Sequence, residues 1–267
     1  MSERRGRPRY GQHFLEAAWA DKLVEAIDPA PADRFVEIGP GPGALTLRLA
    51  PRVAHVTAVE LDPRMVERLQ RHAPPNVTIV KQDFLDFDLT TLLRGGQLRV
   101  AGNLPYYASS PILFSLIRAY RGADRAGTLL DATLMVQREV ADRIAASPGT
   151  KDYGTLSIFV QLRAKVRRLL TLPPGAFRPP PRVHSAVLRL QFQPPSVAIA
   201  DEAVFESLVR SIFTQRRKTL QNALRRFADE RKVDPRRALD DAGVDGSRRP
   251  ETLQIAELAR LADAFLS

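Results

Sequence analysis

Arg34-Phe-Val-Glu-Ile-Gly39-Pro-Gly41-Pro-Gly43-Ala-Leu-Thr-Leu-Arg-Leu-Ala50 reads as a strand, a tight glycine turn and a helix. Glycines allow a sharp turn and close approach of backbone to a ligand, and the N-terminus of the helix that follows favours a carboxylate or phosphate. Upstream, residues 17–27 have helical period. Downstream, residues 55–60, 77–83 and 98–103 read as further strands. A helix over 63–71 intervenes, with Asp62 as its cap and Pro63 in its first position. Residues 111–120 form the next helix, 132–137 a fifth strand and 139–145 a helix. Residues 157–172 are predicted as one long β segment, and the alternating pattern over 183–192 as a last strand. Strands alternating with helices at this spacing predict a mostly parallel α/β sheet.

Pro194-Pro195 breaks the pattern, because two prolines stop a strand and stiffen a linker. Beyond it, residues 205–213, 219–227, 235–242 and 255–265 are helical by period. The expected organisation is an α/β domain over 1–194, preceded by a basic arm of Arg4, Arg5, Arg7 and Arg9, and a small all-α domain over 195–267.

Composition narrows the possibilities. Over 267 residues, 40 Lys and Arg against 30 Asp and Glu leave a formal charge of +10, with 44% hydrophobic residues, which excludes a disordered polymer. No run of about 18 uncharged apolar residues is present, so no transmembrane helix is expected. The basic N-terminus leads into Tyr10-Gly-Gln-His13 rather than an apolar stretch, which argues against a secretory signal and for a cytoplasmic location. Zero Cys and four scattered His argue against disulfides and a metal site. Residues 153–200 hold seven basic side chains and no acid, and residues 216–237 hold nine basic side chains against Asp229, Glu230 and Asp234. Such stretches point to a polyanionic partner, and the high charge favours a monomer.

Two acids follow the glycine turn at informative positions. Glu60 ends the second strand about twenty residues on, where a carboxylate can accept both hydroxyls of a ribose, and Asp83 ends the third, within reach of an adenine amino group. The fourth strand ends in Asn103-Leu104-Pro105-Tyr106. An aryl amine is a poor nucleophile because its lone pair is delocalised into the ring. An Asn oxygen and a neighbouring main-chain carbonyl can accept both of its N–H bonds and draw the nitrogen toward tetrahedral geometry, while Tyr106 stacks on a base taken out of its nucleic acid.

Seven blocks in order now show a resemblance: Tyr10-Gly-Gln-His-Phe-Leu15, Val36-Glu-Ile-Gly-Pro-Gly-Pro-Gly-Ala-Leu-Thr46, Val59-Glu-Leu-Asp62, Gln82-Asp83, Gly102-Asn-Leu-Pro-Tyr106, Phe177-Arg-Pro-Pro-Pro-Arg-Val-His-Ser-Ala-Val187 and Phe213-Thr-Gln-Arg-Arg-Lys-Thr-Leu220. Over nearly its whole length the chain resembles the KsgA-type small-subunit rRNA adenine dimethyltransferases. That resemblance implies a Rossmann-like class I methyltransferase sheet with a small all-α C-terminal domain, and S-adenosyl-L-methionine as cofactor. By the same resemblance the cofactor lies on His13, Leu15, Gly39, Glu60, Asp83 and Asn103, with Gly41 at its methionine end. Asn103, the carbonyl of Leu104 or Pro105, and Tyr106 hold the target adenine, and Phe177 stacks on its other face. The implied substrate is a pair of neighbouring adenosines in the 3′-terminal hairpin loop of 16S rRNA, within the 30S subunit or its precursor, each converted to N6,N6-dimethyladenosine late in assembly. The basic residues Arg178, Arg182, Arg216, Arg217, Lys218, Arg225 and Arg226 are then the expected clamps on RNA phosphates.

Three positions depart from the family's usual pattern: His13 where many members have Asn, Tyr107 where Asn is common, and His184 where Asp is usual. Three other functions compete with this reading. A macrolide-resistance-type 23S rRNA adenine methyltransferase shares the pocket, but Leu104 and the 213–220 block favour the small-subunit branch. An RNA-binding assembly factor with little catalysis is opposed by the intact Glu60, Asp83, Asn103 and Tyr106. A DNA adenine methyltransferase is opposed by Asn103-Leu104, since such enzymes usually carry an acid at the first of these positions or a second proline at the second.

Overall fold

The computed structural model describes residues 13–105, 107–122 and 129–266. In chain order these form β1 (Phe14–Leu15), α1 (Ala17–Ile27), β2 (Arg34–Ile38), α2 (Thr46–Leu49), β3 (His55–Glu60), α3 (Pro63–Gln70), β4 (Val77–Lys81), α4 (Thr90–Leu93), β5 (Leu98–Asn103), α5 (Ser109–Gly122) and β6 (Leu129–Gln137). There follow α6 (Arg138–Ile144), α7 (Thr155–Arg163), β7 (Ala164–Leu172), β8 (Phe177–Arg178), β9 (Ser185–Phe192), α8 (Glu202–Phe213), α9 (Leu220–Arg231), α10 (Pro235–Ala242) and α11 (Ile255–Asp263). Two units are distinguished: residues up to 141 with 164–193, and residues 142–163 with 194 onward. Among the described residues, no helix is long and apolar enough to cross a membrane.

In the first unit a seven-stranded sheet runs in the order β4-β3-β2-β5-β6-β9-β7. β4, β3, β2, β5 and β6 pair in parallel, and β9 runs against both its neighbours. Strands covered on both faces should be apolar throughout. Phe35, Val36, Val56, Val100 and Ala101 are accordingly buried. From β2 the chain winds outward through β3 and β4, then crosses back to β5 on the other side of β2. The reversal opens a crevice at the C-terminal ends of β2 and β5, where open α/β sheets bind ligands. Gly102 lies opposite Ile38 in the register, and a Cβ there would stand 2.7 Å from the Ile38 carbonyl oxygen, so only glycine lets β5 approach β2 at this end.

At the opposite end of β5 lies a buried ionic cluster. The Arg99 guanidinium donates to both oxygens of Asp131 (3.0 and 2.9 Å), to Asp33 (2.7 Å) and to the carbonyls of Ile27 (2.8 Å) and Asp28 (3.1 Å). Arg189 on β9 donates to the Ala26 and Ile27 carbonyls. Two arginines thus satisfy the orphan carbonyls that end α1 and tie that helix to the sheet.

Three expectations are corrected here. Residues 157–172 are not one β segment: α7 occupies the first part and only β7 is strand. Leu156, Ile158, Phe159, Val160 and Leu162 are all buried, so the run is apolar nearly all round, and periodicity cannot tell a buried helix from a buried strand. The unit boundary is also not a single cut at Pro194-Pro195, because residues 142–163 group with the helices. Phe159 on α7 meets Phe205 on α8 edge-on at 6.4 Å, and Arg163 pairs with Glu202. Finally, Phe177 lies in β8, which pairs with β1 as Leu15 opposite Phe177. This two-residue ladder is too short to leave a sequence period. It buries Phe177 to 1% exposure in a core with Leu23, Ile27 and Val187. No ring face remains there to stack on a base.

The second unit is helical. α8 packs on α9 and α11, and α10 on α9 and α11. Phe227 meets Phe265 edge-on at 5.0 Å, and buried Tyr153 donates its hydroxyl proton to the Leu253 carbonyl (3.1 Å).

Candidate active site

The crevice between the ends of β2, β3, β4 and β5 is a cavity, and it brings together residues that lie 90 positions apart in the chain. His13, Leu15, Gly39, Gly41, Glu60, Asp83 and Asn103 all line it, as do Leu104 and Pro105. Phe177 does not line it, for the reason given above. Tyr106 lies outside the described residues.

The glycine turn after β2 is held by the acid that ends β3. Gly39 and Gly41 have φ of 61° and 55°, the left-handed region that side chains disfavour. A Cβ on Gly41 would also meet the Phe14 ring at 3.0 Å. Glu60 accepts from Gly41 N through one carboxylate oxygen (2.9 Å) and from Asp62 N through the other (2.8 Å). Each oxygen keeps a further lone pair for a ligand hydroxyl. On β4's exit, Asp83 commits one oxygen to the Leu85 N–H (2.9 Å).

Beneath the turn Glu37 is buried, with the Thr46 hydroxyl donating to it at 2.6 Å. Burial pushes its pKa up to about 7, against the lowering effect of the Thr46 bond and with the charge of Glu60 adding to the rise.

Asn103 donates its side-chain N–H to the His13 carbonyl at 2.9 Å. A carbonyl can only accept, so this contact fixes the orientation of the amide and leaves Oδ1 as the acceptor. His13 is itself fixed: Nδ1 lies 2.7 Å from the Pro179 carbonyl and must carry the proton there. The Pro105 carbonyl accepts from Ala108 N (3.0 Å) and from the Ser109 hydroxyl (3.2 Å), which uses both its lone pairs.

The basic residues singled out by sequence are not alike. Arg182, Arg217, Lys218 and Arg225 are exposed. Arg178 is exposed and pairs with Glu16 at 2.8 Å, and Arg226 pairs with Glu230 one turn on at 3.1 Å. Arg216 is half-buried: its guanidinium pairs with Glu251 (2.7 Å) and donates to the Lys151 carbonyl (2.9 Å), tying segments of the helical unit together.

Sequence reasoning missed the apolar rim. Phe14, Leu61 and Leu85 line the cavity, and Tyr107, noted only as a departure, does too. The available signal was an apolar residue directly after Glu60, and another two places after Asp83, where loops are normally polar.

The parallel sheet, the glycine turn braced by an acid from the next strand, and the Asn-Leu-Pro turn define a Rossmann-like methyltransferase. The chain belongs to the ribosomal RNA adenine dimethylase family, whose model, described as "Ribosomal RNA adenine dimethylase", matches residues 3–265. A protein named Ribosomal RNA small subunit methyltransferase A from Aromatoleum aromaticum is 44% identical over 260 residues, 96% of this chain and 93% of its own. A dimethyladenosine transferase from Plasmodium falciparum has the same fold, with a TM-score of 0.75 and 23% identity over 93% of this chain and 96% of that one. The 23S rRNA methyltransferase ErmE has a TM-score of 0.66 and 29% identity over 95% of this chain and 100% of that one.

Proposed function

We propose that the protein transfers methyl groups from S-adenosyl-L-methionine to N6 of two adjacent adenosines in the 3′-terminal loop of 16S rRNA, in the cytoplasm, on the small subunit or its precursor. The observation that carries this reading is the Asn103 amide, held by the His13 carbonyl with Oδ1 as its acceptor, in one cavity with Glu60 and Asp83. The residues present fit the cofactor. Gly41 leaves room against Phe14, Glu60 keeps lone pairs for a ribose, and Asp83 stands at the next strand end for an adenine amino group. His13, Leu15, Gly39, Gly41, Glu60, Asp83 and Asn103 are the residues that would hold it.

When bound, S-adenosylmethionine supplies an electrophilic sulfonium methyl with a good leaving group. Asn103 Oδ1 accepts one N6–H bond of the target adenine. Because the Pro105 carbonyl is already doubly engaged, the Leu104 carbonyl accepts the other. Together they localise the amine lone pair and hold it in line, so the chain's contribution is positioning and electrostatics. Tyr106 stacks on the extruded base, and the proton lost on alkylation passes to water. Arg178, Arg182, Arg217, Lys218, Arg225 and Arg226 contact RNA phosphates, and a loop is the cheapest place from which to extrude a base. The small-subunit reading is favoured over the 23S one because relatives 42–45% identical over nearly the whole chain are named Ribosomal RNA small subunit methyltransferase A.

The test is transfer of labelled methyl to small subunits lacking native adenine methylation, with large subunits as control and products mapped by nucleoside mass spectrometry. Dimethyladenosine in small-subunit RNA alone is expected. Label confined to large subunits would move the protein to the 23S reading, and no transfer to either would overturn the proposal.

A further inference from the structure

β1 is fixed along its length. Phe14 pairs with Arg178 and Leu15 with Phe177, Glu16 N donates to the Ala176 carbonyl at 2.9 Å, and the His13 ring is held by the Pro179 carbonyl. Phe14 is thereby set, half-buried, in the wall of the cavity. Two contacts locate it. A Cβ built on Gly41 would stand 3.0 and 3.1 Å from Cε1 and Cδ1 of the Phe14 ring, so an edge of that ring lies against the glycine turn. The residue before it, His13, accepts from the Asn103 amide. Phe14 thus joins the turn at the methionine end of the cofactor to the residue that holds the target amine, and methyl transfer has to take place between those two.

The charge of the cavity wall bears on what the ring can do. Among the described residues, the acids lining the cavity are Glu60 and Asp83, both assigned to the nucleoside. Glu37 is buried beneath the turn and does not line it. No carboxylate of the described wall is left to face a sulfonium. Aromatic faces carry partial negative charge and attract a cation, most strongly where water is excluded. Of the other described rings on the wall, Phe84 follows Asp83 at the adenine end and stacks on Phe87 at 6.3 Å, and Tyr107 is 68% exposed.

We propose that Phe14 discriminates the charged cofactor from its neutral product by presenting its ring to the sulfonium, which makes it a specificity-determining residue of the reaction. The inference rests on the reaction proposed above. Transfer forms the bond from N6 to the methyl carbon as the sulfur–carbon bond breaks and returns its electron pair to sulfur, and the N6 proton leaves to water. The sulfur loses its charge, and the ring loses its cation. Every methyl added requires one exchange of spent for fresh cofactor, and a ring that favours the cation biases that exchange forward.

The test is calorimetric and needs no RNA. Kd is measured for S-adenosylhomocysteine, neutral at sulfur, and for sinefungin, which carries an ammonium group in place of the methylated sulfonium. The proteins are wild type, Phe14→Leu, and the full chain with trifluorophenylalanine in place of Phe14, which keeps the shape of the ring and cancels the negative charge of its faces. A cation at an aromatic face is worth about 0.5–2 kcal/mol, roughly 2- to 30-fold in Kd. Both altered proteins should therefore lose about 2- to 30-fold in affinity for sinefungin relative to S-adenosylhomocysteine. A fluorinated protein that keeps the wild-type ratio overturns the inference. So does a Leu variant that weakens both ligands equally, which would make Phe14 a plain apolar wall. Wild type that binds neither ligand would refute the cofactor assignment and this inference with it. A ratio shifted as expected, without methyl transfer to small subunits, would uphold the inference and refute only the RNA substrate.

Discussion

Replacing Arg99 with methionine should cost the α/β unit about 3 kcal/mol. Methionine is close in length to the arginine stem, so little of the cost is a cavity. What is lost is the bidentate pair to Asp131, the bond to Asp33 and the bonds to the Ile27 and Asp28 carbonyls. Asp131, only 8% exposed, would be left with Arg189 Nε at 3.7 Å as its nearest remaining cation in the cluster. Removing one partner of a buried pair costs about 3–5 kcal/mol, and the persistence of Arg189 places this case at the lower end. The melting transition should fall by about 6–12 °C, at roughly 2–4 °C per kcal/mol for a unit of this size. Amide exchange in β5 and β6, read alongside chemical unfolding, reports this unit separately from the helical one. Adding Asp131→Leu to Arg99→Met should recover part of the loss, because it removes the buried carboxylate left without its bidentate partner, while Asp33 and Arg189 still lose theirs. A single variant that loses under about 1 kcal/mol, or a double variant no more stable than the single, would refute this account of what joins α1 to the sheet.

Asn103→Ala should lower kcat/KM for methyl transfer by about 10²- to 10³-fold, the effect of removing one preorganised polar contact, and wild-type turnover would remove Asn103 from the mechanism. Gly41→Ala, strained by a φ of 55° and by contact with Phe14, should weaken calorimetric binding of S-adenosylhomocysteine by about tenfold, and an unchanged Kd would refute the packing argument. Glu37 holds a proton in the native state up to about pH 7, whereas the unfolded chain loses it near its ordinary value. Its contribution is therefore fully present below the unfolded pKa and falls away as pH rises through about 7. Wild type should lose on the order of 3 kcal/mol between pH 4 and pH 8 from this group, and Glu37→Gln should flatten that part of the profile; parallel profiles in urea unfolding would contradict it. Arg217→Ala and Lys218→Ala should each reduce the salt slope of RNA binding by about one without altering stability, whereas Arg216→Ala should lower the melting temperature through the lost Glu251 pair.

Much of the site was legible in the residues because its parts sit at strand ends, and strand ends announce themselves. An apolar run stopping at Gly39, at Glu60 or at Asn103 marks both the strand and the place where its chain leaves the sheet. The bounds of β3 and β5 follow directly, as does the Asp62 cap on α3, since the pattern of a cap and its helix is local. Legibility ended where a fully apolar run carried no period, as in α7, and where two-residue strands carried too little chain to show one, as in β1 and β8.

The sequence by itself determined the α/β class, the order of its strands along the chain, and the chemistry available at each strand end, since all of these depend on neighbours a few residues apart. The tertiary structure alone decided which of those groups are free to act. It fixed the Asn103 amide through a carbonyl 90 positions away, filled both lone pairs of Pro105, paired Arg216 with Glu251 and buried Phe177. These outcomes depend on distances of a few ångströms between remote segments, and no local pattern of residues encodes them.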